Sequence, residues 1–186
     1  MKSKFISEWE ACLASLSFFT VLPFPHVTSR FASFYLPVAG FFVAILSYFI
    51  FELSRNFFII DISLFLLIVT LPVITGGIHE DGFADFFDGF GGGYTKEKIL
   101  TIMKDPGLGS YGGMALIVVF MGRYILLANL TNHILYVLFV SLILSRALAV
   151  TYLFDLPYAG FSPSSKNNGS NQIVSSKAFG VIAPMS

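Results

Sequence analysis

Leu36–Leu53 reads LPVAGFFVAILSYFIFEL, eighteen residues with a single carboxylate near the far end. A hydrocarbon layer of ~30 Å is crossed by roughly 20 such residues on a helix. Three further stretches have the same character: Phe57–Thr75, Gly112–Leu130 and Ile134–Phe154. An earlier piece, CLASLSFFTVLPFP (Cys12–Pro25), is shorter and ends in two prolines. That pattern predicts a re-entrant or interfacial helix rather than a full crossing.

Composition agrees. Of 186 residues, 55% are hydrophobic and only 12% charged, against roughly 25% charged in soluble domains. The 11 basic and 11 acidic residues cancel, so no basic field points to nucleic acid. Cys12 stands alone, which excludes a disulfide framework and a cysteine metal site. The basic start MKSKF has a signal-like look, but Glu8 and Glu10 interrupt the apolar run that a signal needs. The segment is expected to belong to the mature protein. The fold class predicted is an all-α polytopic membrane bundle of about four spans.

Lysine and arginine in the connections set the orientation. Lys2, Lys4, Arg30, Lys96, Lys98, Lys104, Lys166 and Lys177 fall on one side, and only Arg55 on the other. This places both termini and the long central connection in the cytoplasm. Ser54–Asn56 and Thr131–His133 are short, so the spans form two antiparallel hairpins joined by Gly76–Tyr111. Connections of that length are commonly functional. Residues 1–158 read as the membrane-embedded domain with its site in 76–111. Residues 159–186, rich in Ser, Asn and Gly, read as a polar disordered tail.

The connection opens with GGIHEDGFADFFDGFGGG, Gly76–Gly93. On a helix, Asp81, Asp85 and Asp88 fall within about 60° of one another, while Phe83, Phe86, Phe87 and Phe90 occupy the opposite side. A short helix with a carboxylate edge and a phenylalanine edge is predicted, ended by Gly91–Gly93. Like charges on one edge repel, and nothing basic lies one turn away. A surface helix with its phenylalanines in the interface is the bland reading. A divalent cation is the sharper one. Oxygen ligands suit Mg²⁺, Mn²⁺ or Ca²⁺, whereas one histidine without cysteine argues against zinc. Such ions keep positions open for phosphate oxygens, so the sequence points to metal-dependent transfer of a phosphate-linked group at the cytoplasmic face. His79 could act as a base or phosphate donor, or be an ordinary polar contact. Glu80 projects away from the aspartate edge and is left out of the site.

Farther on, KEKILTIMKDPGLGSYGG (Lys96–Gly113) carries Ile99, Ile102 and Met103 at helical spacing. Pro106 is expected to stop that helix near Asp105. Lys104 beside the glycines could hold phosphate, or could snorkel from an interfacial helix. Arg123 and Arg146 lie inside predicted spans, where a cation faces a polar cavity or an acidic partner.

GG-x-H-x-DG-x-AD-x-x-DG (Gly76–Gly89) followed by IM-K-D-x-x-LG-x-YGG (Ile102–Gly113) resembles the cobalamin synthase family, also called adenosylcobinamide-GDP ribazoletransferase. Phe18–Pro25, Pro37 with Gly40, and Ser145-Arg146 are similar too, so the likeness runs from about Phe18 to Tyr158. The resemblance implies an enzyme of the cell inner membrane that uses Mg²⁺ to join α-ribazole, or its 5'-phosphate, to adenosylcobinamide-GDP with release of GMP. Asp81, Asp85 and Asp88 would then hold the metal, with His79, Lys104, Asp105 and Arg146 orienting phosphate or the ribazole hydroxyl. A homo-oligomer or assembly with other cobalamin-synthesis proteins stays open. The family pattern places a late glycine-rich motif beyond the spans and arginines where Val21 and Gly160 stand. An inactive shortened copy or a partner subunit is therefore a competing expectation. Asp85-x-x-Asp88-Gly89 also resembles the opening of the CDP-alcohol phosphotransferase motif, the remainder of which is not matched. A cation transporter would be expected to place its acids within the spans.

Overall fold

The computed structural model describes residues 2–25, 29 and 32–155. These residues form seven α-helices and no strand: α1 (Lys2–Phe19), α2 (Leu36–Ser54), α3 (Ile60–Thr75), α4 (Ile78–Gly92), α5 (Lys96–Ile102), α6 (Ser110–Asn129) and α7 (Ile134–Asp155). One-turn 3-10 segments precede α2 and α7. The all-α bundle expected from hydropathy is present. The tail at 159–186 lies outside the described residues.

Three stretches are long and apolar enough to cross a membrane: Ala32–Ser54, Ser110–Asn129 and Thr131–Leu153. The fourth predicted span is different. α3 has only 16 residues, because Phe57 and Phe58 fold back through backbone N–H bonds to the Ser54 carbonyl. It can count as a crossing only together with α4, from which it is bent by 90°. The N-terminal piece is also longer than expected. Its helix starts ten residues before Cys12, at Lys2, and stops at Phe19, yet it is not among the candidate crossings.

α2 lies at the centre, packed against α3 on one side and α7 on the other. Its buried stripe is mostly small: Ala39, Gly40, Val43, Ala44 and Ser47. In a bilayer, helices associate through close backbone approach, which small residues allow. At Gly40 a Cβ would lie 2.5 Å from the Leu142 carbonyl oxygen and 2.8 Å from Arg146 Cδ. Phe51, Leu64, Leu67, Ile68, Leu127, Ile134 and Leu138 complete a core at the end of the bundle away from α4. The outer faces carry large apolar side chains at helical spacing, such as Phe41, Ile45, Phe49 and Leu53 on α2, and Tyr136, Val140, Leu144 and Leu148 on α7. Stripes of that size in water would be sites of association. On helices of this length they are lipid-facing walls.

Gly40→Leu is expected to destabilise the bundle by about 1–3 kcal/mol through overpacking against α7. The lipid-facing Phe41→Leu should change little. Thermal unfolding in detergent checks this, and equal melting of the two variants would reject the α2–α7 contact.

Candidate active site

The site is built on the bend between α3 and α4. Gly76 and Gly77 are both left-handed, with φ of 67° and 73°, a pair of conformations that only glycine adopts without strain. Gly77 N–H donates to the Pro72 carbonyl and ends α3, while the Gly77 carbonyl accepts from Asp81 N–H and starts α4 (2.8 Å each). The extended chain after α1 docks here as well, since Val21 N–H donates to the Ile74 carbonyl at 2.8 Å. The early motif Phe18–Pro25 is thereby brought to the acid motif.

α4 runs from Ile78 to Gly92 with Gly93 as its cap, as the glycine run predicted. It packs along α6 and is underlain by α5. Asp88 faces the start of α6 and is only 8% exposed. Its Oδ2 accepts from Gly109 N–H and its Oδ1 from Gly112 N–H, each at 2.8 Å. Gly109 is the N-cap residue of α6, so the carboxylate does from another helix what an N-cap side chain does locally. A Cβ on Gly109 or Gly112 would lie 2.2 or 2.3 Å from an Asp88 oxygen. The LG-x-YGG spacing is explained by this approach.

Asp85 is half-buried and Asp81 exposed, one helical turn apart. Neither side chain makes a hydrogen bond or ion pair among the described residues. Two unengaged carboxylates on one edge fit a magnesium ion, which typically takes one or two protein carboxylates and completes its shell with water and phosphate oxygens. Among the described residues, no three of His, Cys, Asp or Glu converge into a metal-holding group. The three aspartates thus share an edge, as the periodicity required, but differ in what they touch.

The other predicted residues are spread around this edge. The His79 ring stacks on Phe19, with centroids 6.1 Å apart and planes 3° from parallel. α5 ends at Ile102, slightly before the expected stop at Asp105. Asp105 Oδ1 accepts from Gly107 N–H at 2.9 Å, an Asx turn across Pro106 that leads the chain to Gly109. Lys104 is exposed beside it. Arg146 on α7 rests against Gly40, donates to Ser145 Oγ at 3.1 Å and makes no direct ion pair among the described residues, although the Glu80 carboxylate lies near enough to act on it electrostatically.

Glu80 is the residue that the sequence reading set aside. It does project away from the aspartate edge, and that direction takes it to α6. Arg123 Nη1 donates to Glu80 Oε1 at 2.9 Å, with side-chain exposures of 36% and 12%. Arg123 also lies over the Phe120 ring. The usable signal was an arginine inside a span together with one acid off the shared edge, since each would be costly alone.

This is an all-α membrane protein with an acid-bearing helix folded back at the end of a short span. The chain belongs to the cobalamin-5-phosphate synthase family, whose family model matches residues 11–184. The match extends past Tyr158, where the motif likeness stops. A protein of Shewanella pealeana named adenosylcobinamide-GDP ribazoletransferase is 39% identical over 126 residues, covering 62% of this chain and 49% of the relative. Proteins with the same name from Vibrio cholerae and Pseudoalteromonas atlantica are 41% and 35% identical. They cover 60% and 82% of this chain, and 43% and 60% of their own lengths. The chain spans about half the length of the curated relatives it matches. No solved structure matches.

Removing Arg123 strands a largely buried glutamate. Arg123→Leu is expected to cost about 3 kcal/mol, and adding Glu80→Gln should recover part of it. If the single variant melts with the wild type in detergent, the ion pair does not stabilise the α4–α6 contact.

Proposed function

We propose that this chain works in the joining of α-ribazole, or its 5'-phosphate, to adenosylcobinamide-GDP with release of GMP, the last stage of cobalamin assembly. The name of its relatives, adenosylcobinamide-GDP ribazoletransferase, supports the reaction. The observation that carries it to this chain is the unengaged Asp81–Asp85 edge at the α3–α4 bend, inside the matched region.

In this reading the ribazole hydroxyl oxygen attacks the phosphorus bonded to cobinamide. A new phosphate ester forms as the hydroxyl gives up its proton to solvent, the bond to the bridging oxygen breaks, and GMP departs with that oxygen. Asp81 and Asp85 would hold Mg²⁺ against the diphosphate. The ion, when bound, supplies charge neutralisation for the bridging and non-bridging oxygens. Lys104 and Arg146 are cations that make no direct ion pair among the described residues, suited to phosphate oxygens. His79, braced on Phe19, and Asp105 are the groups proposed to orient the incoming hydroxyl. Much of the acceleration would come from positioning and fixed charge.

The distribution of lysines supports a multi-pass protein of the cell inner membrane with α4, α5 and both termini in the cytoplasm. Both substrates are phosphate-bearing or polar and would meet the site from that side.

Incubation of the chain in nanodiscs with adenosylcobinamide-GDP, α-ribazole and Mg²⁺ should yield cobalamin and GMP. Asp85→Asn is expected to lower the rate by roughly 10²–10³, in the range of losing one preorganised electrostatic contact, and chelation should abolish it. Product that survives both treatments would reject the metal reading. Product seen only after adding the polypeptide that corresponds to the uncovered half of a relative would make this chain a subunit of the activity.

A further inference from the structure

We infer that Asp88 is a positioning residue rather than a metal ligand, and that the divalent-ion edge of α4 consists of Asp81 and Asp85 alone. The metal half of this statement rests on the function proposed above, and the positioning half does not.

The three aspartates have the same chemistry and nearly the same angular position, so only their surroundings separate them. Asp88 is 8% exposed, and each of its oxygens already accepts a backbone N–H at 2.8 Å. Both donors belong to the first turn of α6, where unpaired N–H groups and the helix dipole favour a negative charge. Hydrogen bonds to an ionised acceptor are about twice as strong as neutral ones. Each oxygen keeps a second lone pair, but the carboxylate is walled in by the backbone of Gly109 and Gly112, which leaves little room for an ion together with its water ligands. Asp81 and Asp85 are not enclosed in this way.

The glycines make the same distinction from the other side of the contact. Any side chain at 109 or 112 would collide with the Asp88 carboxylate, and at 112 also with the Ala84 carbonyl oxygen, 2.9 Å from a Cβ. A backbone shaped this closely around a carboxylate is a docking joint. What it docks is the segment leading out of α5. Lys104–Leu108 enters α6 through Gly109, so the Asp88 contact fixes where Lys104 and Asp105 stand relative to the Asp81–Asp85 edge.

The test uses the full chain in nanodiscs and needs no substrate. Free Mn²⁺ is followed by paramagnetic resonance as a binding probe, and melting is recorded in EDTA. A distance is measured between spin labels introduced by Phe86→Cys and Leu108→Cys in a Cys12→Ala background. Asp88→Asn should bind Mn²⁺ within about threefold of wild type, melt about 5 °C lower in EDTA and broaden the label distance. Asp81→Asn and Asp85→Asn should each weaken Mn²⁺ at least about tenfold, since charge count sets affinity, with melting and distance unchanged. Gly112→Ala, which keeps every carboxylate, should reproduce the melting and distance changes of Asp88→Asn and serves if that variant fails to fold.

Mn²⁺ binding weakened tenfold by Asp88→Asn would overturn the inference. So would melting and label distance that stay at wild-type values in both Asp88→Asn and Gly112→Ala. A wild-type chain that binds no Mn²⁺ would instead remove the metal reading, while the melting and distance data would still decide the role of Asp88.

Discussion

The contact between the Asp88 carboxylate and the backbone of Gly109 and Gly112 holds the functional end of this molecule together. It joins residues 21 and 24 positions apart in the chain, and it is made by a charge that would be expensive to bury in any other setting. At a helix N-terminus the burial is favourable, because donors that no intrahelical carbonyl can satisfy are waiting there. α4 is thus pinned to α6 at one end by this cap and at the other by Glu80 and Arg123. Between the two fixed points the Asp81–Asp85 edge has little freedom to turn.

The two anchors follow one logic. Each places a carboxylate where water is scarce and supplies its partner from α6. The acids of α4 are therefore divided in two ways: Glu80 points off the shared edge toward Arg123, while Asp88, on the same edge as Asp81 and Asp85, lies far enough along the helix to meet the α6 N-terminus. A helix with four acids in nine residues becomes tolerable because two of them are engaged by α6, which leaves two unengaged.

Much of this was legible in the residues. Membrane spans are written in composition, so Leu36–Leu53, Gly112–Leu130 and Ile134–Phe154 lie close to the observed helices. The shortening of α3 was not legible, because Phe57, Phe58 and Ile59 are as apolar as the helix that follows, and their turn is set by bonds to Ser54. The angular order on α4 followed from 3.6-residue periodicity alone. The different fates of its acids did not, since periodicity fixes where a side chain points but not what comes back from α6 to meet it. Glu80 shows this most clearly. Its direction was read correctly, and its partner, 43 residues later, became visible only in three dimensions.

The stunted third helix has a consequence for the surrounding lipid. At 1.5 Å per residue its 16 residues rise ~24 Å, about one turn less than a ~30 Å hydrocarbon layer. Its outward side chains Ile62, Phe65, Val69 and Val73 are exposed, so the apolar perimeter of the protein is lower there than beside α2 or α7. A bilayer meeting a short wall thins to match it. Such thinning at α3 would centre on the Gly76–Gly77 corner, beside the carboxylate edge of α4.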